Sequence, residues 1–94
     1  MKTITISKIQ SDTLVSQLEN KGDGYNIGQL RQLGRVLDVF EATEASVEGR
    51  MKVALEDADY DFLKEIWDVT SSYRGGADVR KLVLGIDDAI QGAT

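Results

Sequence analysis

Asp57, Asp59 and Asp61 stand on alternate positions within ALEDADYDFLKEIW, the stretch from Ala54 to Trp67. A calcium loop offers its first three ligands with that spacing. Such a loop also needs glycine at its sixth position and a bidentate glutamate at its twelfth. Counted from Asp57, those positions hold Phe62 and Asp68. Phenylalanine cannot make the glycine turn, and Phe62 fits the apolar stripe of a helix that follows. The acids therefore read as a helix start. Asp57 is the expected cap, with Asp59 and Asp61 in the first turns, where the helix macrodipole favours negative charge. No metal is expected.

Gly22, Gly24 and Gly28 precede a helix in an approximate GxGxxG. The third glycine is one position late, and no buried strand leads into the loop, so this is turn chemistry rather than a dinucleotide cradle. Arg31 and Arg35 lie one helical turn apart and could contact phosphates or carboxylates. Asp38 sits three residues beyond Arg35 and can pair with it. The chain has no histidine and no cysteine. That removes Ser-His-Asp and Cys-His catalysis, thiolate metal sites and disulfides together. Paired carboxylates could still do acid–base work, but they need a deep cleft, which a domain this small rarely has. The chain is read as a non-enzyme without cofactor.

These residues must be positioned by one domain, 1–94, since 94 residues are too few for two. A hydrophobic content of 41% excludes a disordered chain. No apolar run reaches the roughly 18 residues that cross a bilayer. MKTITISK has no apolar signal core. Both observations point to the cytoplasm. A net charge of −5 argues against direct nucleic-acid binding and suits solubility, or a basic partner surface.

Two stretches alternate at period two and predict strands: Lys2 to Ser7, through Ile4 and Ile6, and Arg50 to Glu56, through Met51, Val53 and Leu55. A short helix is expected over SDTLVSQLENKG, capped by Ser11 or Asp12, ended by Gly22, with Leu14 and Leu18 inward. Asn26, with Gln29 three residues on, forms a variant capping box for the next helix. Its expected inner face is Leu30, Leu33, Leu37 and Phe40, with Val36 at the edge. Thr43 to Gly49 reads as a connection. The third helix is expected over Asp57 to Tyr73, burying Phe62, Ile66, Val69 and Tyr73. Arg74-Gly75-Gly76 breaks it, and a fourth helix, Ala77 to Gln91, buries Val79, Leu82, Val83, Ile86 and Ile90.

Three apolar residues miss those stripes. Tyr60 and Trp67 share one edge of the third helix, and Leu84 lies nearly opposite the buried stripe of the fourth. Either the strands or the first helix cover the two aromatics, or they anchor an interface; Leu84 is a stray or a further contact. The expected partner-binding set is Tyr60, Trp67, Leu84, Arg31 and Arg35.

The succession RVLDVFEAT, VALEDADYDFLKEIW, then a glycine break and ADVRKLVLGIDDAI, resembles small accessory proteins of tailed bacteriophages and prophages. The resemblance covers Asn26 to Ile90. It implies a small protein that acts in a bacterial host by binding another protein, without cofactor, and it assigns no residue a role.

The expected fold is α+β and helix-dominated: about four helices packed with a small two-stranded antiparallel sheet. The strands could pair within one chain or with a second copy, so a homodimer is one outcome. The expected function is a non-catalytic protein-binding module, active in assembly or as an inhibitor of a host protein through an acidic surface. The alternative is a nucleic-acid-binding regulator that uses Arg31 and Arg35.

Overall fold

The structure, a computed structural model, describes residues 1–21, 23–70 and 75–94. Its elements follow in the order β1 (Lys2–Ser7), α1 (Lys8–Glu19), α2 (Ile27–Ala42), β2 (Arg50–Leu55), α3 (Asp57–Thr70) and α4 (Ala77–Gln91). The fold is α+β and helix-dominated, with one two-stranded antiparallel sheet.

The two strands pair with each other within the chain, Ile4 opposite Val53 and Ile6 opposite Met51. Period-two alternation sends Ile4, Ile6, Met51, Val53 and Leu55 into the core, while Thr5, Lys52 and Ala54 face water. Burying each of these large side chains stabilises the fold by about 1.5–3 kcal/mol. Thr3 and Thr94 exchange both backbone hydrogen bonds, at 2.9 and 3.1 Å, on the far side of β1. That fixes the phase of the ladder. Arg50, Lys52 and Ala54 then turn their backbone groups away from β1. Those of Arg50 bond to Ser46, through its hydroxyl and its amide, leaving Lys52 and Ala54 as an open edge. An exposed lysine on an edge strand discourages a further strand from adding.

Helix α1 starts earlier than its expected cap at Ser11 or Asp12. Ser7 caps it: the Ser7 hydroxyl accepts from Gln10 N, and Ser7 N donates to the Gln10 side chain, a complete capping box. Ser11 is then an interior helical residue and is buried. The expected stop at Gly22 lies outside the described residues. Asn26 and Gln29 form the anticipated box at the start of α2.

Each helix buries a stripe, and three of them differ from the expected ones. In α2 the inner face is Leu33, Val36, Leu37 and Phe40, whereas Leu30 is exposed. In α4 only Ile86 and Ile90 are fully buried; Leu82 and Val83 are half-covered and Val79 is exposed. In α3 the stripe is rotated. Tyr60, Leu63, Ile66 and Trp67 point inward, Phe62 is half-buried and Val69 is 67% exposed. Tyr73 and Arg74 lie outside the described residues.

Two tyrosines secure helix ends. The last carbonyls of a helix have no partner inside it. Tyr60 donates its hydroxyl to the carbonyl of Ile90, near the end of α4, at 2.6 Å. Tyr25 does the same for Leu18 of α1, also at 2.6 Å, and its burial raises the phenol's pKa.

Candidate protein-binding surface

The expected aromatic anchors are not on the surface. Trp67 is 2% exposed and Tyr60 is 6% exposed. The physical reason is the pair of acceptors that α4 presents. Trp67 Nε1 donates to Asp87 Oδ1 at 3.1 Å, and Tyr60 donates to the Ile90 carbonyl. With the polar atom of each ring satisfied, both ring bodies can enter the core. Lys64 leans back over the Tyr60 ring, 5.7 Å from its centre.

Arg35 also differs from expectation. It faces Asp59 of α3 at 3.4 Å rather than Asp38, and Gln32 Nε2 shares the same carboxylate at 3.2 Å. Arg31 stays exposed on α2. The two arginines therefore do not act as a free pair. Leu84 is 55% exposed on the outer face of α4, as its position off the stripe implies.

The three acids at alternate positions diverge. Successive alternate residues of a helix point about 200° apart. The Asp57 carboxylate meets the terminal amine at 2.8 Å, and Asp59 turns to Arg35. Asp57 is also the first helical residue rather than the cap, because Glu56 supplies the first carbonyl of the helix, to Tyr60 N. The acids start a helix. Among the described residues no three acidic side chains converge as metal ligands would. At α2, the Asn26 side chain accepts from the backbone N–H of Gln29.

Once α3 is helical through Asp68, a different grouping appears on its outer side. Asp57, Asp61, Glu65 and Asp68 are spaced four, four and three apart, and all four are exposed. At 1.5 Å per residue they form a ridge about 16 Å long. Asp61, Glu65 and Asp68 make no ion pair within the described chain. Like charges three and four residues apart weaken their own helix by a few tenths of a kcal/mol per pair. Asp68 also sits near the C-terminal pole, which repels an anion. Lys64, three residues after Asp61 and four before Asp68, is the cation of α3 nearest to them, and it leans over Tyr60 without an ion pair to either. The sequence signal for it was the 4-4-3 spacing, which reading the same acids as a helix start leaves unused.

Two shallow grooves are formed by described residues elsewhere on the surface. One, of about 300 Å³, lies between α1 and α2 beside Val15, Phe40, Glu19 and Glu41. The other, about 550 Å³, runs between residues 43–46 and the outer face of β2, beside Arg50 and Lys52. Neither joins the ridge, and no described helix is long and apolar enough to cross a membrane.

Comparison with protein-family models, with curated proteins and with solved structures returns no match in any of the three.

Proposed function

We propose that the protein is a non-catalytic binding module that docks a basic surface of another protein through the acidic ridge of α3. The observation that carries this reading is the run of exposed acids Asp61, Glu65 and Asp68, none of which forms an ion pair within the described chain. Asp68, an anion near the C-terminal pole of its helix, breaks a local rule, which points to a use outside the chain. The net charge of −5 adds long-range attraction for a basic partner. Arg35 is committed to Asp59, which leaves the nucleic-acid alternative a single free arginine on this face. A small protein that acts through a partner in a bacterial host also suits the phage accessory proteins that residues 26–90 resemble. The ridge favours occupation of a basic, nucleic-acid-binding site on the target over an assembly contact made by apolar surface.

The test joins stability to binding. A triple variant, Asp61→Asn with Glu65→Gln and Asp68→Asn, should melt higher than the wild type at low salt, because the self-repulsion is gone. The gap should shrink as salt screens the wild type. Partners captured from a host lysate by the wild type should be lost by the triple variant and by high salt alike. A triple variant that melts higher yet captures the same partners would sink the proposal.

A further inference from the structure

The exposed face of α4 has a symmetry that neither the core nor the acidic ridge uses. Ala77, Arg80, Lys81, Leu84, Asp88 and Gln91 fall on one side of the helix at spacings of three, one, three, four and three. All six are exposed. Read along the axis, the face is basic at one end, apolar in the middle and acidic at the other.

That order runs against the helix. Arg80 lies in the first turn of α4, where the macrodipole repels a cation, and Asp88 lies in the last turn, where it repels an anion. Neither they nor Lys81 form an ion pair within the described chain. Asp87 is partly explained by the indole of Trp67, but Asp88 has no such role.

We propose that α4 pairs antiparallel with α4 of a second copy about a two-fold axis at Leu84. Leucine meets leucine at the axis. Arg80 then faces Asp88 of the second copy, with Lys81 beside it, and Ala77 faces its Gln91, with each pairing made twice. Every charge that its own helix disfavours meets an opposite charge and the opposite pole of the neighbouring helix. An isologous contact requires self-complementarity of this kind. One pair of short helices makes a contact well under the roughly 1,200 Å² of a stable interface, so the dimer is weak and sensitive to salt. This surface is separate from the α3 ridge, and either proposal can fail without the other.

Sedimentation equilibrium at low salt, up to millimolar protein, tests the pairing. The wild type should pass from monomer to dimer with rising concentration, and added salt should weaken the dimer. Leu84→Glu, Arg80→Glu and Asp88→Arg should each weaken association by about tenfold or more. The decisive sample is an equimolar mixture of the Arg80→Glu and Asp88→Arg chains. In the mixed pair the introduced glutamate of one chain faces the introduced arginine of the other. The native Asp88 of the first chain likewise faces the native Arg80 of the second, so association should return. A wild type that stays monomeric, a dimer indifferent to Leu84→Glu, or a mixture that fails to recover each overturns the proposal. A second reading needs no variant. On dilution of the wild type, amide resonances of Arg80, Lys81, Leu84 and Asp88 should shift, and shifts confined to other elements overturn the pairing equally.

Discussion

Trp67 Nε1 donates a 3.1 Å hydrogen bond to Asp87 Oδ1, and through it the largest side chain of α3 is held against α4. Replacing Trp67 by phenylalanine keeps most of the ring but removes the donor. The half-buried carboxylate loses its partner, at a cost of about 1–3 kcal/mol. Trp67→Ala should cost about 3–5 kcal/mol through the cavity it leaves. Urea denaturation of both variants checks these values. Emission from this only tryptophan should be blue-shifted and protected from quenchers in the monomer. A red, readily quenched emission would contradict the buried placement.

Tyr60 makes the companion tie, and its loss should be milder. The Ile90 carbonyl also accepts from Ala93 N at 3.3 Å, so Tyr60→Phe leaves it a partner. A cost of about 0.5–1.5 kcal/mol is expected, against about 3–5 kcal/mol for Tyr60→Ala. A Phe variant as damaging as the Ala variant would mean that the hydroxyl does far more than one bond.

These two bonds also mark where sequence reading reached its limit. The strands were legible because Ile4, Ile6, Met51, Val53 and Leu55 alternate within runs of six residues, a purely local signal. The start of α2 was equally local, in Asn26 and Gln29. The start of α1 was available in the same form, in Ser7 and Gln10, but Ser11 and Asp12 offered a competing cap. The face of α3 was ambiguous. One stripe runs Phe62, Ile66, Val69, Tyr73; the other runs Tyr60, Leu63, Ile66, Trp67, and both include Ile66. The choice was made by Asp87 and the Ile90 carbonyl, which are twenty or more residues away. The same holds at the surface: the exposure of Leu84 followed from its own helix, while the pairing of Arg35 with Asp59 did not.

Acid should probe the contact at the start of α3. The terminal amine, first by its hydrogen bond and then by its charge, holds the Asp57 carboxyl below the ordinary carboxylate range. The folded value is the lower one, so the stabilisation is complete above the unfolded value of about 3.9 and is lost as pH falls through the folded value. Asp57→Asn should therefore melt slightly below the wild type at neutral pH, and the gap should close in strong acid. A gap that persists at low pH, in melting curves recorded across the range, would assign the effect to something other than this ion pair.

A final test concerns the close approach of α4 to α1. A Cβ added at Gly85 would stand 2.7 Å from Nε2 of Gln10, nearer than side chains come. The same amide gives its oxygen to Ser7 N, completing the cap of α1. Gly85→Ala should gain about 1 kcal/mol of helix propensity and lose about as much by pushing Gln10 off the cap. In the wild-type background the net change should be near zero. In a Gln10→Ala background nothing stands in the way, and Gly85→Ala should stabilise by about 1 kcal/mol. The two substitutions are therefore coupled by about 1 kcal/mol, measurable by a double-mutant cycle in urea. If Gly85→Ala changes stability equally in both backgrounds, Gln10 is not what the glycine makes room for.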